Sequence, residues 1–313
     1  MPTSRIRTAL IAGLLAAASL VPAHAGEPER PFIERSLVLA PARVAGWRLT
    51  KAQDFEGRPE LGVGFSYRHG DHPDVLVSVF VYPHGRQEGV DVVGQLALAM
   101  RRELEDVAAG GTYEDLVFGE ETDFHVVTPV KQAEAANEAA NDAGNDAGND
   151  AVEPRDGAES GDIAIAAIEE VEAELAVNDP DRGRRQPVTM TRAGEPILSV
   201  SYLFHRQLYA FKLRISARQE HIDAATFAAF ADMAVHAIAP LIDVRNTGGC
   251  ASATIHVDGS AGEASEGFAD FVRQLARAKA RGEREGCAPT LDTAVPAGFE
   301  GIELDVSGLW GRR

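Results

Sequence analysis

His69, Asp71 and His72 lie together between two alternating apolar runs, and imidazole plus carboxylate donors at one turn are the types that suit zinc or copper. They are the candidate metal ligands. A second group, His256-Val-Asp258 followed by Ser260 and Ser265, has the residue types of a hydrolase triad. A serine nucleophile needs a strained elbow such as Gly-x-Ser-x-Gly and an oxyanion hole, and neither pattern is present around it. Glycine-rich phosphate loops are absent as well, so no cofactor motif is written in the chain. Acidic pairs are too common in so acidic a chain to single out a two-carboxylate mechanism. His84 lies at the far end of the first hairpin from His69, and His205 reads as a solvent-facing turn residue. His221 and His236 read as surface or satisfied core groups.

The two cysteines, Cys250 and Cys287, have no Cys-x-x-Cys spacing and no histidine at ligand spacing. A Cys250–Cys287 disulfide stapling a small strand-helix unit is the expectation. Closing a loop of this length restricts the unfolded chain by roughly 4 kcal/mol at most.

Leu61 to Tyr67 and Val75 to Tyr82 alternate and are rich in Val, Phe and Tyr, which predicts a β-hairpin with Tyr67 opposite Val75 and Phe65 opposite Val77. Its apolar face should meet a helix. Val93, Leu96, Ala97, Met100, Leu104 and Val107 supply one, ended by Gly110-Gly111. Val117 to Val127 reads as a strand. A second hairpin, Ile197 to Phe204 and Leu208 to Ser216, should turn at Arg206-Gln207 and place Phe204 opposite Tyr209. Ser199, Ser201, Lys212 and Arg214 fall on its other, wetter face. Asp223 is a plausible N-cap for a helix with Phe227, Phe230, Ala231, Ala234 and Ile238 on its stripe and Pro240 at its close. After it, Thr254 to Val257, a helical stripe of Phe268, Phe271, Val272 and Leu275, and Ile302 to Val306 suggest a strand-helix-strand unit, with Trp310 as a packing anchor.

Arg5 and Arg7, an apolar stretch from Thr8 to Val21 and Ala23-His24-Ala25 read as a secretory signal peptide cleaved after Ala25. Four lysines against a large excess of arginine suggest a bacterial, GC-rich coding bias, so a periplasmic or secreted product is expected. No second apolar stretch long enough to span a bilayer is evident downstream. Residues 131–186 read as an acidic low-complexity insert, because the four-residue repeat through Asn141-Asp-Ala-Gly and Asn145-Asp-Ala-Gly cannot bury enough apolar surface to offset its ordering entropy. The spacing also misses the patterns of calcium loops. Within it, Ala164, Ile168, Val171 and Leu175 predict a short amphipathic helix, and Arg182, Arg184 and Arg185 close it as a solvated basic run.

The chain's net charge is -18, and the insert, with 15 acidic and 5 basic residues, carries -10 of it. That balance disfavours nucleic acid as a partner. The expected segments are therefore a signal peptide over 1–25, two halves of one domain at 26–130 and 187–245, the insert at 131–186, and a disulfide-stapled C-terminal unit at 246–313.

From Pro41-Ala-Arg-Val-Ala-Gly-Trp47 onward, and most of all in the Leu203 to Ile215 hairpin leading into a helix, this order resembles the PsbP-like α/β/α sandwich family over 41–130 and 187–240. The resemblance implies an α+β fold, an antiparallel sheet with helices packed on it, and a binding platform without a shared catalytic set. A non-enzymatic exported binding or accessory protein, engaging a protein or envelope component, is the expected function. The alternative is an exported metal-dependent or hydrolytic enzyme.

Overall fold

A computed structural model describes residues 31–87, 90–126, 164–171, 179–253, 255 and 264–310. The expected signal peptide, most of the insert, and His256, Asp258 and Ser260 lie outside the described residues, as does the side chain of Ser265.

The main sheet is antiparallel throughout. Its order is β2 (Arg43–Val44), β3 (Trp47–Asp54), β4 (Val63–His69), β5 (Leu76–Pro83), β10 (Tyr209–Arg218), β9 (Glu195–Arg206), β8 (Arg182–Arg192) and β6 (Glu114–Phe118), and β7 (Thr122–His125) also pairs with β8. Both hairpins form, each paired two residues away from the expected register. Tyr67 stands opposite Val77, because the turn is centred one residue further along the chain, where the Arg68 guanidinium donates to the Pro73 carbonyl. Phe204 stands opposite Phe211, with Gln207-Leu208 as the turn, both at positive φ. Neither residue is a usual occupant of that conformation. The turn is held from outside instead: the Gln207 amide donates to Asp243 and accepts from the Val244 N–H, and Leu208 is buried. A slip of two residues keeps every side chain on its face, so the apolar alternation could not detect it.

One face of the sheet is dry. Val63, Phe65, Tyr67, Val77, Val79, Val200, Phe204, Phe211, Leu213 and Ile215 form a single cluster with Phe227, Phe230, Ala231, Ala234 and Ile238 of α3 (Ala224–Ile238). The Asp223 carboxylate caps α3 by accepting from the N–H groups of Ala225 and Thr226. By length and composition alone Ala224–Leu241, which is α3 and the turn after it, could cross a bilayer, where the sequence reading finds no second such stretch. Here its apolar side is occupied by the sheet. The expected partner of the first hairpin, α1 (Val92–Ala109), packs elsewhere. Val92, Leu96, Ala97, Met100 and Leu104 meet Val188, Met190, Leu203 and Ala210 on the opposite face. Pairing of β5 with β10 explains the correction, since it joins the apolar faces of both hairpins into one surface, which α3 covers together with Ile33, Val38, Ala40, Val244, Leu304 and Val306.

Near Trp47 the backbone turns tightly through Ala45 and Gly46, both at positive φ. A Cβ on Gly46 would stand 2.3 Å from the His69 ring, so glycine is required here on both counts.

The C-terminal segment does not make a unit by itself. A second sheet, ordered β12 (Cys287–Ala288), β11 (Asp243–Thr247), β1 (Arg35–Pro41), β13 (Phe299–Asp305), takes a central strand from the N-terminal side. The expected strand from Thr254 to Val257 falls mostly outside the described residues. A buried polar chain ties the two sheets: the Tyr209 hydroxyl donates to Ser36 Oγ at 2.7 Å, Ser36 donates to Asn246 Oδ1 at 2.6 Å, and the Asn246 amide donates to the Gln207 and Glu285 carbonyls. Cys250 and Cys287 are disulfide-paired, with Cα atoms 6.0 Å apart. Trp310 packs edge-on to Phe32 and against Gly85.

The basic run at the expected end of the insert is part of the domain. Arg182, Arg184 and Arg185 open β8 and pair with β7, and Arg184 and Arg185 pair with β9 as well. Arg184 meets Asp91, Glu121 and Asp123, and Arg185 meets Asp232. These arginines reach carboxylates on α1, the β6–β7 segment and α3, which is why they are ordered rather than solvated. The expected strand from Val117 to Val127 divides into β6 and β7 around Gly119. Helix 164–171 (α2) lies against α4 (Ala264–Glu285), with Ala167 and Val171 buried and Arg273 paired with Glu170 at 2.9 Å. Its inward side is Ala164, Ala167 and Val171, one position round from the expected stripe, so Ile168 is largely exposed.

Candidate functional site

The outer face of the main sheet is covered by α1 on one half only. On the other half the alternation that fills the dry face with Val and Phe puts polar groups outward. Arg43, Arg48 and Arg68 are directly opposite one another in β2, β3 and β4. Lys51, Ser66, Ser78 and Arg214 make the next row, since Lys51 pairs with Ser66, Ser66 with Ser78, and Ser78 with Arg214. Like charges directly opposite in a sheet destabilise it unless a counter-charge is supplied.

Where this half meets Tyr113 and β8, the surface sinks into a groove of about 400 Å3. Arg68, Arg192, Arg214 and Arg218 line it together with Asp74, Ser78, Ser216 and Tyr113, over an apolar floor of Leu76, Phe80, Met190 and Ile197. Arg214 is half-buried at its centre. Its Nε donates to Ser199 Oγ at 3.1 Å, Nη1 to the Tyr113 hydroxyl at 3.2 Å, and Nη2 approaches Met190 Sδ at 3.4 Å. The guanidinium also lies over the Tyr113 ring, 5.4 Å from its centroid. All of these partners are neutral, and among the described residues Arg214 has no carboxylate within ion-pair distance. Several other half-buried cations do have one, as with Arg86 on Glu285, Arg185 on Asp232, Lys212 on Glu103 and Arg245 on Asp292, whereas Arg68 and Arg101, like Arg214, are held by neutral groups. Arg218 at the rim is paired with Glu195, and Asp74 stands 3.8 Å from His221. A guanidinium has five N–H donors, so an arginine oriented by three neutral contacts retains two for an anion.

The expected metal ligands do not converge. His69 Nδ1 accepts from the Asp71 N–H at 3.2 Å, and its ring packs on Trp47 and Phe230. The His72 ring is turned onto Phe230 at 4.6 Å, and the Asp71 carboxylate is exposed. The turn over Gly70–Val75 places His72 on Phe230 of α3. Among the described residues no group of three His, Cys, Asp or Glu side chains is placed to hold a metal ion.

His205 is not a solvent-facing turn residue. Its Nε2 lies 3.0 Å from the Gly85 carbonyl and its ring meets His84 edge-on at 5.2 Å. Burial, followed by the neighbouring His84, holds its pKa down to about 4, and burial lowers that of His84. His221 is exposed beside Asp74 and Glu220, and His236 packs on Phe124.

The groove was missed at the level of sequence because its members come from β4, β5, β8, β9 and β10. The outward alternation of Lys212, Arg214, Ser216 and Arg218 was the visible signal. What brings Arg68 beside it is the pairing of β5 with β10, two strands about 130 residues apart in the chain. The sequence matches no protein-family model, and no curated protein matches it.

Proposed function

We propose that this chain is a non-enzymatic binding or accessory protein of the bacterial envelope, exported under residues 1–25, and that it binds through the uncovered half of the sheet's outer face. The observation that carries the reading is Arg214, a half-buried cation oriented by Ser199, Tyr113 and Met190 without a carboxylate of its own. A charge held ready in this way favours an incoming anion, because the cost of orienting it is already met by the fold. The groove offers donors and charge but no nucleophile beside a base. Ser216 is bonded to Ser199 at 2.9 Å, Ser199 donates to the Ile215 carbonyl, and no histidine lines the groove. The resemblance to the PsbP-like sandwich family supports the same class of function, a platform that binds without chemistry.

Fractionation of a bacterial host expressing the full chain tests the export half of the proposal, with the protein expected in the periplasmic fraction and starting at Gly26. Retention in the cytoplasm with an intact N-terminus would reject it. Metal analysis of the purified mature protein tests the other half. Stoichiometric zinc or copper, lost in a His69→Ala/His72→Ala variant, would replace this reading with the enzymatic one.

A further inference from the structure

We infer that the groove around Arg214 takes an amphiphilic organic anion, a carboxylate or phosphate head carrying an apolar tail. The inference rests on the reading of that groove as the binding site and adds the chemistry of its ligand.

Two halves of the groove demand two halves of a ligand. The head is set by the remaining N–H donors of Arg214, with Arg192 exposed at the rim and carrying no ion pair among the described residues. Arg68, which spends one donor on the Pro73 carbonyl, adds a third positive charge from the β4 side. Planar guanidinium groups match carboxylate and phosphate oxygens, and a partly desolvated one does so more strongly than one in open water. Asp74 is the single carboxylate lining the groove, and it stands beside His221.

The tail is set by the floor. Leu76 and Phe80 on β5, Ile197 on β9 and Met190 on β8 give the groove apolar walls on either side of β10. With strands spaced about 4.8 Å apart, the groove runs roughly 14 Å from β5 to β8, with Arg214 and Ser216 of β10 between its two apolar sides, long enough for an extended acyl chain or a pair of rings to lie across it. Inorganic phosphate would leave that floor wet. A neutral hydrocarbon would leave the arginines without an anion. The volume of about 400 Å3 lies at the lower end of the range of small-molecule sites.

Calorimetric titration of the full mature protein tests this with four probes below their aggregation concentrations: decanoate, decyl phosphate, inorganic phosphate and decyl maltoside. Decanoate or decyl phosphate should bind at least tenfold tighter than inorganic phosphate and than decyl maltoside, and which of the two is tighter identifies the head. Arg214→Met should lose at least tenfold. Arg192→Gln, an exposed change that leaves the melting temperature in place, should lose severalfold, which keeps the test valid if Arg214→Met proves unstable. Inorganic phosphate binding as tightly as the amphiphiles, and lost in Arg214→Met, overturns the amphiphile and leaves the groove as the binding site. Decyl maltoside binding as tightly as decanoate overturns the inference by removing the role of charge. Failure of all four probes, or binding indifferent to both variants, overturns the inference together with the reading on which it rests.

Discussion

The two faces of the main sheet are made by the same strands and the same alternation, yet they end in opposite states. Toward α3 the large side chains are closed off from water, and Phe65, Tyr67, Tyr202, Phe204, Phe211 and Leu213 are at most 1% exposed. Toward α1, the covered half closes over Leu203, Ala210 and Met190, and there Lys212 meets the carboxylate of Glu103. Beyond α1 the same face carries Arg43, Arg48, Arg68 and Arg214 without such partners among the described residues. A sheet can thus be stabilised almost wholly from one side, leaving part of the other free to carry charge that does nothing for the fold. Net charge alone concealed this. The acidity of the chain lies mainly in 131–186, while a basic surface sits on the domain itself.

The largest way to break the comparison is Phe230→Ala. Phe230 packs on Trp47, His69 and His72, and its removal should cost about 3–5 kcal/mol in urea unfolding. A loss under 1 kcal/mol would mean that the α3 side is not the dry one. Next comes the disulfide: Cys250→Ser/Cys287→Ser should lower stability by roughly 2–4 kcal/mol, measured in the same way. An acid titration follows. Because the folded-state pKa values of His205 and His84 are depressed below the unfolded value near 6.5, their contribution is complete above that pH and is lost as pH falls through it toward about 4. Unfolding free energies between pH 7.5 and 4 should drop by on the order of 3 kcal/mol, and a flat profile would contradict the burial of the pair. The smallest effect sharpens the contrast from the basic side. Arg48→Thr removes one charge from the row of three and should change stability by less than about 0.5 kcal/mol, in the stabilising direction, at low salt.

Local grammar accounts for what could be read from the chain. The alternation of both hairpins, the stripe and closing glycines of α1, and the Asp223 cap all depend on neighbours in sequence, and each element stands where its pattern put it. The Cys250–Cys287 pairing followed from there being two cysteines and one possible bond. Three features resisted for physical reasons. Turn position escaped because a register shift of two leaves the pattern unchanged, and because Gln207 and Leu208 adopt their turn through contacts with β11 rather than through their own preference. The face chosen by α1 depends on the long-range β5–β10 pairing. The order of Arg182, Arg184 and Arg185 depends on carboxylates at Asp91, Glu121, Asp123 and Asp232, which a window along the chain cannot see.

The position of β1 carries a consequence for how the molecule is assembled in time. Arg35 pairs across to Thr247 and Asp305, and Ser36 to Asn246 and Leu304, so a strand near the start of the described chain has neighbours only from beyond residue 240. During synthesis the main sheet can gather while β1 waits, and the closure that engages it spans most of the polypeptide. Completion of the last strands therefore acts as a checkpoint. A chain interrupted before Phe299 leaves one side of β1 as an open edge, ready to pair with a neighbour instead.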